Sequence, residues 1–199
     1  MNKEIRQRIV ARHSDSLLRY GVHPHALYWS SREVQALRFR ILSEVGVASG
    51  DTVLDVGCGF ADLKSWLETQ GLDIYYTGLD ISPDLIAVAK GQHPDAVLHI
   101  GELVDCTFPE GCFDWVLLSG ALNEPYADEG KYTRYMIQQM YELSRKGVAF
   151  NLLNANAVQA PDLQSFDAKD MLVFCETLCA SCVLRTDYLQ NDFTIYMHK

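Results

Sequence analysis

Asp55, Gly57, Gly59, Asp62 and Asp80 are the residues of this chain whose types and spacing best suit ligand chemistry. The first four lie in the stretch VLDVGCGFAD, residues 53–62. Gly57-Cys58-Gly59 predicts a turn so tight that side chains would obstruct it, which lets a ligand touch backbone. Asp80 ends a second apolar run, where a carboxylate can take the ribose hydroxyls of a nucleotide. Asp62 narrows the ligand. A dinucleotide fingerprint, G-x-G-x-x-G, would place its third glycine there, beside a pyrophosphate. This chain instead places a carboxylate near a helix start, where it supplies the anion that a helix N-terminus favours and repels a phosphate.

A nucleoside ligand with a cationic centre and no phosphate meets no such repulsion. S-adenosyl-L-methionine fits, having adenosine, a sulfonium and an amino-acid end. The elements that must position these residues alternate between strand and helix. Val53 to Val56 reads as a buried strand, Leu63 to Gln70 as a helix stopped at Gly71, and Ile74 to Leu79 as a second strand. Ser82-Pro83 predicts a capped helix start with the helix running to about Lys90. Strands are predicted at Val97–Ile100, Trp115–Ser119 and Val148–Leu153, with helices at Lys131–Ser144 and Lys169–Cys179. Asn154 to Asp170, with Pro161, is a long polar loop. Val183 to Tyr188 and Phe193 to His198 alternate like an antiparallel pair joined by Gln190-Asn191-Asp192.

Before this core, residues 1–20 read as a helix and Tyr20 to Trp29 as a loop. A second helix is predicted from Ser30, with Ser30 and Glu33 as a capping box and Val34, Leu37, Ile41, Leu42 and Val45 as its apolar stripe. Residues 1–199 are therefore expected to form one domain, with an N-terminal helical extension over 1–45 that the core at 46–199 does not need for completion.

In these landmarks the chain resembles class I S-adenosylmethionine-dependent methyltransferases. VLDVGCGFAD resembles the glycine-rich first motif, and YTGLDIS, residues 76–82, the second strand with its ribose-binding acid. Gly101-Glu102 resembles the Gly-Asp pair whose acid lies near the adenine, with Glu in place of the commoner Asp. CFDWVLLSGALN, residues 112–123, resembles the fourth strand with its Phe-Asp start. The resemblance implies an α/β, Rossmann-like sheet of seven mostly parallel strands, the last antiparallel, flanked by helices under an N-terminal helical cover. YGVHPHALYWSSREVQALRF and RKGVAFNLLN also resemble a group of small bacterial methyltransferases with no acceptor assigned, which places Trp29, Gln35 and Arg38 in the site region.

Composition bounds the partners. A net charge of −9 argues against a general nucleic-acid binder. Residues 1–40 hold eight Lys and Arg against three acids, which reads either as a solvated helix face or as a place to meet an anionic substrate. The polar N-terminus and the lack of any run of transmembrane length lead us to expect a cytoplasmic protein without a membrane partner. Cys175-x-x-x-Cys179-x-x-Cys182 matches an iron–sulfur spacing. Its place in a helix near the C-terminus favours small buried core side chains instead, so no metal site is expected.

Ligands of open α/β sheets bind at the carboxyl ends of the strands. That rule selects Asp55, Gly57, Cys58, Gly59, Asp80, Ile81, Glu102, Leu103 and Ser119 for the cofactor. The resemblance implies that the glycine backbone meets the methionine end, Asp80 the ribose, Ile81 the adenine face, and Glu102 or the Leu103 backbone its exocyclic edge. Acceptor-side candidates are Tyr28, Trp29, Arg38, Asn123 and Asn154, with His23, Tyr28, Asn123 and Tyr126 as groups that could assist transfer. Tyr28 and Trp29 read equally as a lid over the sulfonium or as core. Arg38 reads as a helix-surface residue or as a partner of the cofactor carboxylate. Asn123-Glu124-Pro125-Tyr126 resembles the Asn-Pro-Pro-Tyr of enzymes that methylate base or amide nitrogens, but with Glu for the first Pro. The expected function is methyl transfer to a small molecule. Transfer to protein or nucleic acid, and cofactor binding without catalysis, are the alternatives.

Overall fold

The computed structural model describes residues 1–160 and 162–199, so Pro161 lies outside the described residues. Helix α1 (Lys3–Tyr20), a 3-10 turn (Pro24–Leu27) and helix α2 (Arg32–Ser43) precede β1 (Thr52–Val56), α3 (Asp62–Thr69), β2 (Tyr75–Asp80) and α4 (Pro83–Gln92). Then come β3 (Val97–Ile100), β4 (Phe113–Ser119), α5 (Lys131–Leu143), β5 (Ser144–Leu153), α6 (Ala168–Leu178), β6 (Ser181–Arg185) and β7 (Asp192–His198). Among the described residues, seven strands form one sheet in the order β3-β2-β1-β4-β5-β7-β6. All pairs are parallel except those of β7, which is antiparallel to β5 and to β6. Strand order reverses between β1 and β4, the switch point at which such sheets open a ligand crevice.

The central strands are apolar on both faces because both are covered. Leu54, Val116, Leu118, Val148 and Phe150 face Met136, Ile137 and Met140 of α5 and Met171 and Cys175 of α6. Cys175 and Cys179 are buried in this layer, as the small-side-chain reading expects. On the other face Val53, Trp115 and Leu117 meet Phe39, Ile41 and Leu42 of α2 and Leu63 and Leu67 of α3. Helix α2 is thus a layer helix of the core, not an appendage to it. Its apolar stripe says only that one face is buried, not against what, so the sequence makes the segment look dispensable.

Local details differ from the sequence expectation in several places, β6 among them, which runs over Ser181–Arg185 and not Val183 to Tyr188. Ser31, not Ser30, caps α2: its backbone is extended and its hydroxyl accepts the Val34 amide at 3.2 Å. The residue three positions on is then Val34, so no capping box forms. Strand β5 begins at Ser144, because Arg145 and Lys146 extend outward to Asp114 and Asp51 while their backbone continues the sheet. Asp192, expected in a turn, is the first residue of β7 and is buried. The Phe-Asp landmark of β4 has a structural basis. The Asp114 carboxylate accepts the Thr52 amide and hydroxyl, both at 2.9 Å, and pairs with Arg145 at 3.1 Å, stapling the strand starts far from the crevice. No helix among the described residues is long and apolar enough to cross a membrane.

Candidate functional site

Strand β1 runs into a turn whose glycines are required by conformation and by contact. Gly57 has φ +75° and Gly59 φ +56°, in the left-handed region that side chains resist. A Cβ at Gly57 would lie 2.3 Å from the Ala121 Cβ, and one at Gly59 2.9 Å from Leu27 Cδ1. The loop after β4 and the 3-10 turn therefore press directly on the glycine turn. Ala61 follows in the left-handed conformation at φ +62° and opens α3.

Asp80 closes β2 beside this turn. One carboxylate oxygen accepts the Gly59 amide at 3.0 Å and the other accepts the Ser82 amide at 2.9 Å. Burial pushes its carboxyl above the ordinary range, and the amides of Ser82, Gly59 and Ile81 oppose that shift. Each oxygen retains a second lone-pair site, the number a pair of ribose hydroxyls would need. Asp55 is fully buried and accepts the Tyr76 hydroxyl at 2.7 Å. Burial, opposed by that hydrogen bond and aided by the charges of Asp80 and Asp62, raises its carboxyl to about 7. Asp62 in the first turn of α3 accepts the Gln35 side-chain amide at 2.7 Å. Three carboxyl groups thus meet at one glycine turn, and the charge of Asp62 and Asp80 disfavours phosphate and favours a cation there.

These groups line a cavity of about 610 Å³ at the carboxyl ends of the parallel strands. All nine residues expected to meet the cofactor (Asp55, Gly57, Cys58, Gly59, Asp80, Ile81, Glu102, Leu103 and Ser119) lie in its wall. So do Tyr28, Trp29, Arg38, Asn123 and Tyr126. His23 and Asn154 do not. The His23 ring instead caps the 3-10 turn, accepting the His25 amide at 3.2 Å, and Asn154 caps its own loop, accepting the Asn156 amide at 3.0 Å. Glu102 reaches the cavity, but Oε2 is already held at 2.9 Å by both the Tyr132 hydroxyl and the Met1 ammonium.

Arg38 is buried, not a helix-surface residue. Its Nε donates to Asp192 Oδ2 at 2.8 Å and Nη2 to Oδ1 at 2.5 Å, a two-point ion pair across 154 positions of sequence. Its guanidinium also lies 5.0 Å from the Trp29 ring, and the Trp29 ring in turn packs on Phe39. Trp29 is therefore both core and cavity wall. Of the N-terminal cations, Arg6 pairs with Asp105 at 2.8 Å and Arg12 pairs with Glu124. Two of the eight N-terminal cations thus meet acids of the loops after β3 and β4, and Arg38 meets Asp192 of β7.

Sequence reasoning passes over several wall residues, Arg12 and His13 among them. His13 lies on α1 edge-on to Tyr28, with ring centroids 5.6 Å apart. Burial and the neighbouring Arg12 charge lower its imidazole to about 4, so it is neutral near pH 7. The signal that could find it is helical spacing: Ile9, Arg12 and His13 fall on one face of a helix whose buried apolar positions are few.

Residues 53–147 match a family model described as a methyltransferase domain. Over those residues the chain is similar to methyltransferase domains. A demethylmenaquinone methyltransferase of Listeria welshimeri is 32% identical over 108 residues, which cover 51% of this chain and 43% of that enzyme. The chain therefore spans less than half of that relative's length. A candidate methyltransferase of Mycobacterium tuberculosis is 27% identical over 166 residues, covering 78% of this chain and 97% of its own length. A solved S-adenosylmethionine-dependent methyltransferase from Archaeoglobus fulgidus shares the fold, with a TM-score of 0.65 at 13% identity over 85% of this chain and 95% of that one. The cavity fits S-adenosylmethionine, the cofactor of such methyltransferases: a buried carboxylate with lone pairs for a ribose, and carboxylates beside the glycine turn for a sulfonium and an ammonium.

Proposed function

We propose that the chain transfers the methyl group of S-adenosylmethionine to a small-molecule acceptor. The observation that carries this reading is the roof of the cavity. Ile9, Arg12 and His13 of α1, Leu27 of the 3-10 turn and Tyr28 just after it are all part of its wall. A side chain of a folded protein, or a base in a nucleic acid, would have to displace this roof, whereas a small molecule fits beneath it. The net charge of −9 also disfavours a nucleic-acid acceptor.

In this reading the Gly57–Gly59 backbone and Asp62 take the methionine end, Asp80 the ribose hydroxyls, and Ile81 with Leu103 the adenine. The cofactor supplies an activated methyl on an excellent leaving group. The chain's own contribution is then mainly alignment, which can be worth several kcal/mol when reactants are held in line. Incubating the full chain with methyl-labelled S-adenosylmethionine and separate small-molecule, protein and RNA fractions of a cell extract tests the reading. We expect label in the small-molecule fraction. Label confined to protein or RNA would reject it.

A further inference from the structure

Gly120, just beyond β4, marks a point on which three side chains converge. Its φ is +73°, and a Cβ built there would lie 3.4 Å from Arg38 Nη1, 3.9 Å from Asn123 Nδ2 and 4.0 Å from the Trp29 ring. All four residues line the cavity. The next residue, Ala121, presses on Gly57, so this cradle adjoins the glycine turn. The polar groups that face it are donors. Asn123 Nδ2 gives one N–H to the Gly120 carbonyl at 3.3 Å and keeps the other.

Arg38 brings the charged donors. A guanidinium carries its N–H groups in a planar fork. Asp192 takes one edge of that fork, through Nε at 2.8 Å and Nη2 at 2.5 Å. The other edge, Nη1 with the second N–H of Nη2, has no protein partner among the described residues. The unpaired polar atoms that are fully buried belong to Arg12, His13, Ser16 and Asn123, and Nη1 is not one of them, so it keeps surface that a ligand can reach. An open guanidinium edge matches the two oxygens of a carboxylate. Asp192 and the Trp29 ring, 5.0 Å away, hold the fork in place, so little side-chain freedom is lost on binding. One turn earlier on the same face of α2, Gln35 donates to Asp62 at 2.7 Å, and Asp62 offers a partner to an ammonium. The wall thus suits an anionic group beside a cationic one.

We propose that the open edge of Arg38 and the Asn123 amide form a carboxylate subsite at Gly120. Nη1, Nη2 and Asn123 Nδ2 each supply it an N–H. Asp192 is a positioning residue in this arrangement, orienting Arg38 without touching the ligand. The proposal rests on the cofactor placement given above. Two sources can supply the carboxylate, the methionine end of S-adenosylmethionine or the acceptor. The contact of Ala121 with Gly57 and the nearness of Asp62 favour the first.

The test titrates the full chain calorimetrically with S-adenosylhomocysteine and with its decarboxylated analogue, which lacks only the carboxylate. Arg38→Lys keeps a cation for Asp192 but removes the fork, and Asn123→Ala removes the amide. Thermal unfolding checks that each variant is folded, and Asn123→Ala decides alone where Arg38→Lys is not. We expect the wild type to prefer S-adenosylhomocysteine by about tenfold or more, and each variant to lose most of that preference without weakening the analogue. If the acceptor fills the subsite instead, the two ligands bind alike. 13C-acetate, followed by NMR on the chain saturated with S-adenosylhomocysteine, then binds the wild type and neither variant. A preference that survives in the folded variants, or equal binding of the two ligands with no acetate binding that the variants abolish, would overturn the subsite and leave the cofactor placement standing. Failure of S-adenosylhomocysteine itself to bind would overturn both.

Discussion

Asp80→Ala separates two roles that the sequence presents as one. In the free protein the Asp80 carboxylate accepts the Gly59 and Ser82 amides at 3.0 and 2.9 Å, and it is buried. Removing it leaves two buried donors unpaired at about 1–3 kcal/mol each, or roughly 2–6 kcal/mol together. Relief of the carboxylate's own desolvation offsets part of this, so the low end, about 2 kcal/mol, is the safer expectation. For a chain of this size that corresponds to a fall in Tm of roughly 4–8 °C without ligand. Cofactor binding should suffer separately. Each lost charged hydrogen bond to a ribose hydroxyl is worth about 1.5–3 kcal/mol, or at least tenfold in affinity. Thermal unfolding without ligand reads the first effect. Titration calorimetry with S-adenosylhomocysteine, well below the variant's Tm, reads the second. Asp80→Asn should fall between wild type and Asp80→Ala in stability, because it keeps one oxygen for one amide while opposing its own N–H to the other. Wild-type Tm in Asp80→Ala would refute the anchoring of the glycine turn. Wild-type affinity in a folded Asp80→Ala would refute the ribose assignment.

Asp55 links stability to pH. Its carboxyl titrates near 7 in the fold against 3.8 ordinarily, so the folded chain keeps a proton that the unfolded chain loses. Its contribution is fully present below pH ~4 and is lost as pH rises towards 7, by up to ~1.4 kcal/mol per unit. Asp55→Asn should therefore gain Tm relative to wild type as pH rises from 5 to 7, and a constant difference across that range would contradict the assignment. Gly57→Ala should destabilise by about 2–4 kcal/mol from backbone strain and overlap with Ala121. Adding Ala121→Gly should recover the overlap part alone, as read by chemical denaturation. Arg38→Met leaves Asp192 buried and unpaired and should cost about 3–5 kcal/mol, much of it regained in the Arg38→Met, Asp192→Asn double variant. Equal Tm values for the single and double variants would show that the ion pair is not the cause.

What is legible in the sequence is local chemistry. Gly57, Gly59 and Asp80 are readable because a positive φ needs glycine and because a strand end in a parallel sheet is a place for polar groups. The Ser82-Pro83 start is readable because both residues act within one helical turn, and the Ser82 hydroxyl does accept the Leu85 amide at 3.4 Å. The residues that mislead answer to distant partners. Arg38 looks like a surface residue of an amphipathic helix until Asp192 arrives from β7 to neutralise it. Asp192 itself sits in a polar triplet that any window reads as a turn. Arg8 and Arg12 share a helix with exposed charges, and nothing nearby in sequence says that the loop after β4 will come to rest against them. These contacts are set by the order of strands, not by periodicity, and the wall of the cavity that α1 and Arg38 contribute depends on them. The cofactor side draws on β1, β2 and the turns that follow them, where sequence neighbours are also spatial neighbours. That asymmetry explains why the glycine turn and Asp80 are legible in the order of residues, while the opposite wall emerges only from the packing of α1 on the β4–α5 loop.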